Sequence, residues 1–297
     1  MPTLKQIKEN LTATASIETI ANLYQEIAHL RMNQIRQRVL SNREFTEELF
    51  QIYSRIKKAY INSLKKGEIL KKKELERTSF IKRNGRKIAV FLSSNQFFYG
   101  SLILDIWHKL LSYLSKNKAD LAITGKIGKY LAGRSGLRIK MFYFELDDDN
   151  PERQQVKKIM DFIKNYEEII VFHGKFSTAI SQKPVQDNIS GGVTLGKELG
   201  EVKNYLFEPS PEAILEFFET ELMSAFFNQA ILEHRLSRYA ARMVAMYQAT
   251  ENAKEIRKKL KREQRKLEYQ LSNKKQIELF AGFQLWKQDM LLQLKER

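Results

Sequence analysis

Four histidines, His29, His108, His173 and His234, are scattered along the chain. No two of them have the i, i+4 spacing that puts a pair of imidazoles on one helix face for a metal ion. Asp147, Asp148 and Asp149 are adjacent, without the alternating ligands and later glutamate of a calcium loop, and read as a helix-capping loop. Gly125-Lys126-Ile127-Gly128-Lys129 is too short for a phosphate loop, whose backbone N–H groups cradle phosphates. It reads as a strand-to-helix turn. After Leu92 the chain continues Ser93-Ser94-Asn95-Gln96-Phe97-Phe98-Tyr99-Gly100, which lacks the dinucleotide fingerprint. Neither serine has the G-x-S-x-G context of a nucleophile. There is no cysteine, hence no disulfide framework and no thiolate metal site. These patterns predict no catalytic residue, no cofactor and no metal.

Charge is the remaining chemical signal. The 297 residues carry a formal +16, which calls for an acidic partner: nucleic acid, anionic lipid or an acidic protein surface. Between positions 254 and 266 stand Lys254, Arg257, Lys258, Lys259, Lys261, Arg262, Arg265 and Lys266, against only Glu255 and Glu263. No window offers ~18 consecutive apolar residues for a membrane span. Met1-Pro2-Thr3-Leu4-Lys5-Gln6 leads directly into an amphipathic pattern, so neither a secretory leader nor a transit peptide is expected.

The elements that must position these groups fall into three parts. Thr3 to Lys66 contains no glycine or proline, and Thr3 with Gln6 has the form of a capping box. Leu4, Ile7, Leu11, Ile17, Ile20, Tyr24, Ile27, Ile35, Phe45, Leu49 and Tyr53 recur at helical spacing, predicting one helix of about 90 Å broken at Gly67. Ser210-Pro211-Glu212 is a helix start, with a serine cap and proline in the first turn. From Glu212 to Ala281 there is again no breaker. Leu236, Tyr239, Met243, Met246, Thr250, Ala253, Leu260 and Leu267 step by threes and fours, a weak coiled-coil seam. Between the helices, short apolar strands (Ile88–Leu92, Leu121–Thr124, Ile139–Phe144, Glu168–Phe172) alternate with helices (Leu102–Leu114, about Ile127–Leu131, and one capped by Asp149-Asn150-Pro151 running to about Tyr166). The expected fold class is α/β: a mostly parallel sheet domain over 80–208, inserted in a long antiparallel two-helix coiled coil of 1–66 with 210–297.

Several stretches give this pattern a family resemblance. Ala240-Ala241-Arg242-Met243-Val244-Ala245-Met246, continuing to Ala249, Thr250, Asn252 and Ala253, resembles the C-terminal helix signature of the gamma subunit of rotary F-type ATP synthases. Ile7, Leu11, Ile20, Ala28, Met32, Arg38 and Arg43 fall where that family has similar residues. His173-Gly174-Lys175-Phe176 through Gln182 and Pro184 resembles its N-K-F-x-x-x-x-x-Q-x-P stretch, and Tyr205-Leu206-Phe207-Glu208-Pro209 its Y-x-F-E-P entry to the last helix. The departures are specific. The family's S-D-R-G-L-C-G is here Ser94 to Gly100, keeping only the serine and the last glycine. Its S-E-H is Ser237-Arg238-Tyr239, a reversal of charge. Its N-K-A-R-Q is Arg265-Lys266-Leu267-Glu268-Tyr269, where the family's Arg-Gln pair meets the beta subunit's catch loop. The chain also runs past the usual end, from Gln284 through Trp286 and Met290 to Leu294 and Arg297.

The resemblance implies a non-catalytic rotor shaft that couples ion-driven rotation of the membrane c-ring to ATP synthesis or hydrolysis in the hexamer of alpha and beta subunits, with the epsilon subunit beside it. It implies a peripheral place at the cytoplasmic side of a bacterial inner or plasma membrane. Arg242, Met243, Met246, Lys258, Lys259, Arg262, Arg265, Glu268 and Tyr269 would then be partner contacts, and Phe217 to Phe227 would meet the c-ring. An acidic motif on the family's beta subunits would face the basic run. Two other readings remain: a gamma-like subunit of a specialised rotary ATPase not used for synthesis, and a basic coiled-coil nucleic-acid-binding protein in which Lys71-Lys72-Lys73, Lys82-Arg83 and the basic helix track phosphates.

Overall fold

The computed structural model of the chain describes residues 2–63, 79, 81, 83–190, 208 and 210–295. Gly67, the Lys71-Lys72-Lys73 run, Lys82, Tyr205 to Phe207 and Pro209 lie outside the described residues. The first helix, α1, spans Leu4–Ser63. Its capping box is present: the Thr3 N–H donates to Gln6 Oε1 (2.9 Å) and the Gln6 N–H to Thr3 Oγ1 (3.3 Å). The last helix, α5, spans Pro211–Lys295, and Ser210 Oγ accepts the Ala213 N–H at 3.2 Å.

Between them lie β1 (Lys87–Phe91), α2 (Leu102–Leu114), β2 (Asp120–Thr124), α3 (Lys126–Arg134), β3 (Met141–Phe144), α4 (Arg153–Ile163), β4 (Glu168–Phe176) and β5 (Gln182–Asn188). The five strands form one sheet in the order β3-β2-β1-β4-β5. Every pairing is parallel except β4 with β5. The inner strands are apolar on both faces because both faces are covered. Ile88, Val90 and Val171 pack against Ile159 and Ile163 of α4 and Met223, Phe227 and Ile231 of α5. Ala89, Phe91 and Phe172 pack against Ile106, Trp107 and Leu110 of α2.

Strand β5 is absent from the sequence-based expectation. Its residues, Gln182-Lys183-Pro184-Val185-Gln186-Asp187-Asn188, alternate too weakly to announce a strand. A polar edge strand containing proline is what a sheet margin tolerates. Gly125 begins α3 at φ 81°, and a Cβ there would stand 2.8 Å from Ser94 backbone atoms, so this strand-to-helix turn requires glycine.

The chain divides into two compact units, residues 26–245 and residues 1–25 with 246–297. In the first, Arg43 bonds Glu233, Tyr53 OH donates to Glu219 at 2.5 Å, and Tyr60 OH donates to Glu212 at 2.5 Å. Numbers rise along α1 as they fall along α5, so the helices are antiparallel. Met32, Val39, Thr46 and Tyr53 are buried at seven-residue intervals. In the second unit Thr250 Oγ1 donates to Asn22 at 3.1 Å and Arg257 pairs with Glu18 at 3.3 Å, the same direction.

Several of the apolar residues whose spacing predicts α1 are not on its buried face. In the second unit the buried α1 positions are Ile7, Thr14 and Ala21 and the buried α5 positions Met246, Thr250 and Ala253, whereas Ile17, Ile20 and Tyr24 are exposed. Ile27 and Phe45 in the other unit are also exposed. Thr14, Ala21, Thr250 and Ala253 keep much of the inner stripe small, which permits close approach of the helices, while Ile17, Ile20 and Tyr24 are left outside. Among the described residues no helix is long and apolar enough to cross a membrane.

Candidate functional site

In an open parallel sheet, ligands bind beyond the carboxyl ends of the strands where the strand order reverses, here between β1 and β4. In the unit of residues 26–245 that position is filled by α5. The buried His234 accepts the Gly174 N–H at Nδ1 (3.1 Å) and, with Nε2 protonated, donates to the Ser93 carbonyl (3.1 Å). It thereby ties α5 to the end of β1 and to β4 at once. Gly174 admits the helix: a Cβ there would lie 3.1 Å from Ser237 Cβ and 3.2 Å from Leu102.

Burial, reinforced by Arg238 and His173, pushes His234 well below the ordinary imidazole value. A depressed folded value means stability present above the unfolded value, about 6.5, and lost as pH falls. Urea unfolding of the full chain is therefore expected to show stability falling by about 1.4 kcal/mol per pH unit below about pH 6.5 from this group. The His234→Gln variant should lack that increment. An identical slope in the variant would assign the effect elsewhere.

One turn further along α5, Arg238 (4% exposed) pairs with Asp148 (6% exposed) at 2.6 Å and donates to the Asp148 carbonyl at 2.7 Å. Asp148 also accepts the Asn95 N–H (2.8 Å) and the Gln96 N–H (3.0 Å). Arg242 donates to Gln96 Oε1 at 2.9 Å and to the Phe97 carbonyl at 3.2 Å. Both guanidiniums lie over the Tyr99 ring, at 5.5 and 4.3 Å from its centroid. Burial raises the Tyr99 phenol to about 12, so it stays neutral beneath them.

The two family departures, the segment Ser94 to Gly100 and the charge reversal at Arg238, thus lie against each other and are joined through Asp148. The expected helix-capping role of Asp147, Asp148 and Asp149 is corrected accordingly. Glu152 is the N-cap of α4, in a capping box with Gln155. Asp147 receives the Asp149 and Asn150 N–H groups (2.9 and 2.6 Å), and Asp149 pairs with Arg31 and accepts from Tyr239 OH (2.7 Å). Buried arginines on α5 needed carboxylates, and the three-acid loop supplies them. The sequence held both charges but not their adjacency.

The expected partner-contact residues divide by exposure. Arg242 is 4% exposed and committed to the bonds above; Met243 packs with Met32, Ile35 and Val39. In the unit of residues 1–25 and 246–297, Met246 is buried in the seam. There Lys258, Lys259, Arg262, Arg265, Glu268 and Tyr269 are exposed, Tyr269 at 69%. Residues 258, 262 and 265 fall on one helix face, and Arg257, on another, pairs with Glu18. The same unit exposes Ile17, Ile20, Leu23, Tyr24, Tyr247 and Ile256. Beyond Tyr269, Ile277, Leu279, Phe280, Phe283, Leu285 and Trp286 are also exposed.

Antiparallel end helices around an α/β insert, with the sheet's crevice occupied by the last helix, define a helix-pair protein whose outer faces are open to partners. Residues 3–269 match the family model described as ATP synthase. The ATP synthase gamma chain of Glaesserella parasuis is 24% identical over 262 residues, spanning 84% of this chain and 87% of that one. That of Heliobacterium modesticaldum is 24% identical over 277 residues, spanning 88% and 91%. Among solved structures, the rotor of the Euglena gracilis mitochondrial ATP synthase superposes with a TM-score of 0.62 at 16% identity, covering 90% of this chain and 98% of that one. The chain belongs to the ATP synthase gamma family, as a divergent member. The specialised-ATPase and nucleic-acid readings find no support in these comparisons.

Proposed function

We propose that this chain is the central rotor shaft of an F-type ATP synthase, turning within a sleeve of alpha and beta subunits. The observation that carries the reading is the outer surface of the helix pair formed by residues 1–25 and 246–297. It leaves Ile17, Ile20, Leu23 and Tyr247 more than half exposed, beside Lys258, Lys259, Arg262 and Arg265. An apolar surface of that kind on a helix pair marks a protein contact. Long solvated lysines suit charge contacts that must break and re-form as the shaft turns.

The seam beneath, with Thr14, Ala21, Thr250 and Ala253, gives the pair little apolar stabilisation of its own. In this reading Glu268 and Tyr269 face the beta catch loop with a chemistry changed from the family's Arg-Gln. Phe217, exposed near the start of α5, meets the c-ring and the epsilon subunit lies beside the insert. The complex holds the chain peripherally at the cytoplasmic side of an inner or plasma membrane.

The test is amide hydrogen exchange on the full chain, alone and after assembly with its alpha and beta subunits. Exchange in residues 14–24 and 243–253 is expected to slow by at least about tenfold on assembly, since packing removes local opening. Equal exchange in both states would remove the helix pair from the sleeve.

A further inference from the structure

In the unit of residues 26–245, a half-open recess of about 620 Å³ is lined by Arg31, Gln34, Ile35, Arg38, Asp149, Arg235 and Tyr239. Arg31, Gln34 and Arg38 stand at i, i+3 and i+7 on one face of α1, and Arg235 and Tyr239 at i and i+4 on α5. Asp149 closes the third side. Three guanidiniums thus share one carboxylate, and that carboxylate is already engaged by Arg31 and the Tyr239 hydroxyl. Arg235 spends one nitrogen on the Asp149 carbonyl, while its Nε is buried without a hydrogen-bond partner among the described residues. Arg38, exposed at the rim, makes no ion pair among them. Burial, with repulsion from Arg238, lowers Arg235 from the ordinary arginine value although Tyr239 and Asp149 offset part of it.

We propose that this recess is an oxyanion site that takes a phosphate group of a free small molecule, inorganic phosphate or the phosphate chain of a nucleotide, between Arg38 and Arg235. Planar guanidinium forks match phosphate oxygens in bidentate fashion. The Gln34 amide adds a neutral donor, and the volume falls in the range of small-molecule sites. A phosphate there would add to the counter-charge that Arg235 receives only in part from Asp149 and Tyr239, and would supply one to Arg38. The proposal goes beyond the rotor reading and is tested without it, on the chain alone.

Equilibrium dialysis or calorimetry on the full chain, its folding checked by circular dichroism, would use inorganic phosphate, pyrophosphate and ATP without magnesium as probes. Saturable one-to-one binding of at least one of them is expected. Arg38→Gln should weaken it by about tenfold and Arg38→Glu abolish it, both at an exposed position that leaves the fold intact. The Lys258→Gln, Lys259→Gln control should bind as the parent does. Binding of phosphate and pyrophosphate would identify the oxyanion alone as ligand, and binding of ATP only would identify a nucleotide. No binding at millimolar probe, binding unchanged by Arg38→Glu, or equal loss in the control would overturn the site. In the last case the chain's overall charge would be the attractor.

Discussion

Replacing Lys258, Lys259, Arg262 and Arg265 together by glutamine is expected to lower coupled ATP turnover of the assembled complex by about tenfold or more, while each single change stays mild. An exposed ion pair contributes at most about 1 kcal/mol, so no one lysine decides the outcome. The set removes four exposed cations from one helical segment, three of them on one face. The loss should be mimicked in the parent complex by raising ionic strength, because exposed pairs are screened over roughly 10 Å at 0.1 M salt. Single-molecule torque and bulk ATPase assays read the effect. Unchanged coupling in the fourfold variant, with loss of affinity for DNA or RNA instead, would reverse the assignment from an acidic collar to phosphate tracking.

Asp148→Ala should be among the most destabilising single changes in the insert, at about 3–5 kcal/mol, because it leaves Arg238 buried without its carboxylate. It also takes the acceptor from the Asn95 and Gln96 N–H groups, which fix the segment after β1. Pairing it with Arg238→Met removes the stranded charge. The double variant is therefore expected to be markedly more stable than the sum of the two single losses predicts. Urea unfolding of the four proteins in the cycle measures this. Additive losses would mean that Asp148 and Arg238 act independently, and the link between the two divergent segments would fall with them. Burial disfavours the charge of the neighbouring Asp149, yet hydrogen bonds from Arg31 and Tyr239 outweigh it and hold the carboxyl below the usual value. Its contribution is full above the ordinary carboxylate range and is lost as pH falls through the lower folded value.

Alone, the sequence determined the elements with strong local signals. The two breaker-free runs became α1 and α5 because nothing in them interrupts the backbone ladder, and their starts were written in Thr3 with Gln6 and in Ser210. The parallel strands were legible as continuous apolar runs, and Leu102–Leu114 formed at the expected bounds. The Ala240 to Ala253 signature carried the family.

The inward stripe of α5, Leu236 to Ala253, was legible in the sequence, but only the tertiary structure decided which stripe of α1 turns inward. Near the start of α1, Thr14 and Ala21 turn inward although Ile17, Ile20 and Tyr24 are more hydrophobic, because small side chains allow the helices to approach closely. Strand β5 needed β4 beside it, since its own residues carry little pattern. The roles of Arg238, Arg242 and Asp148 depended on contacts some fifty to a hundred and fifty residues apart in sequence. A charge states its sign in the sequence; what it compensates is fixed only when the chain folds around it.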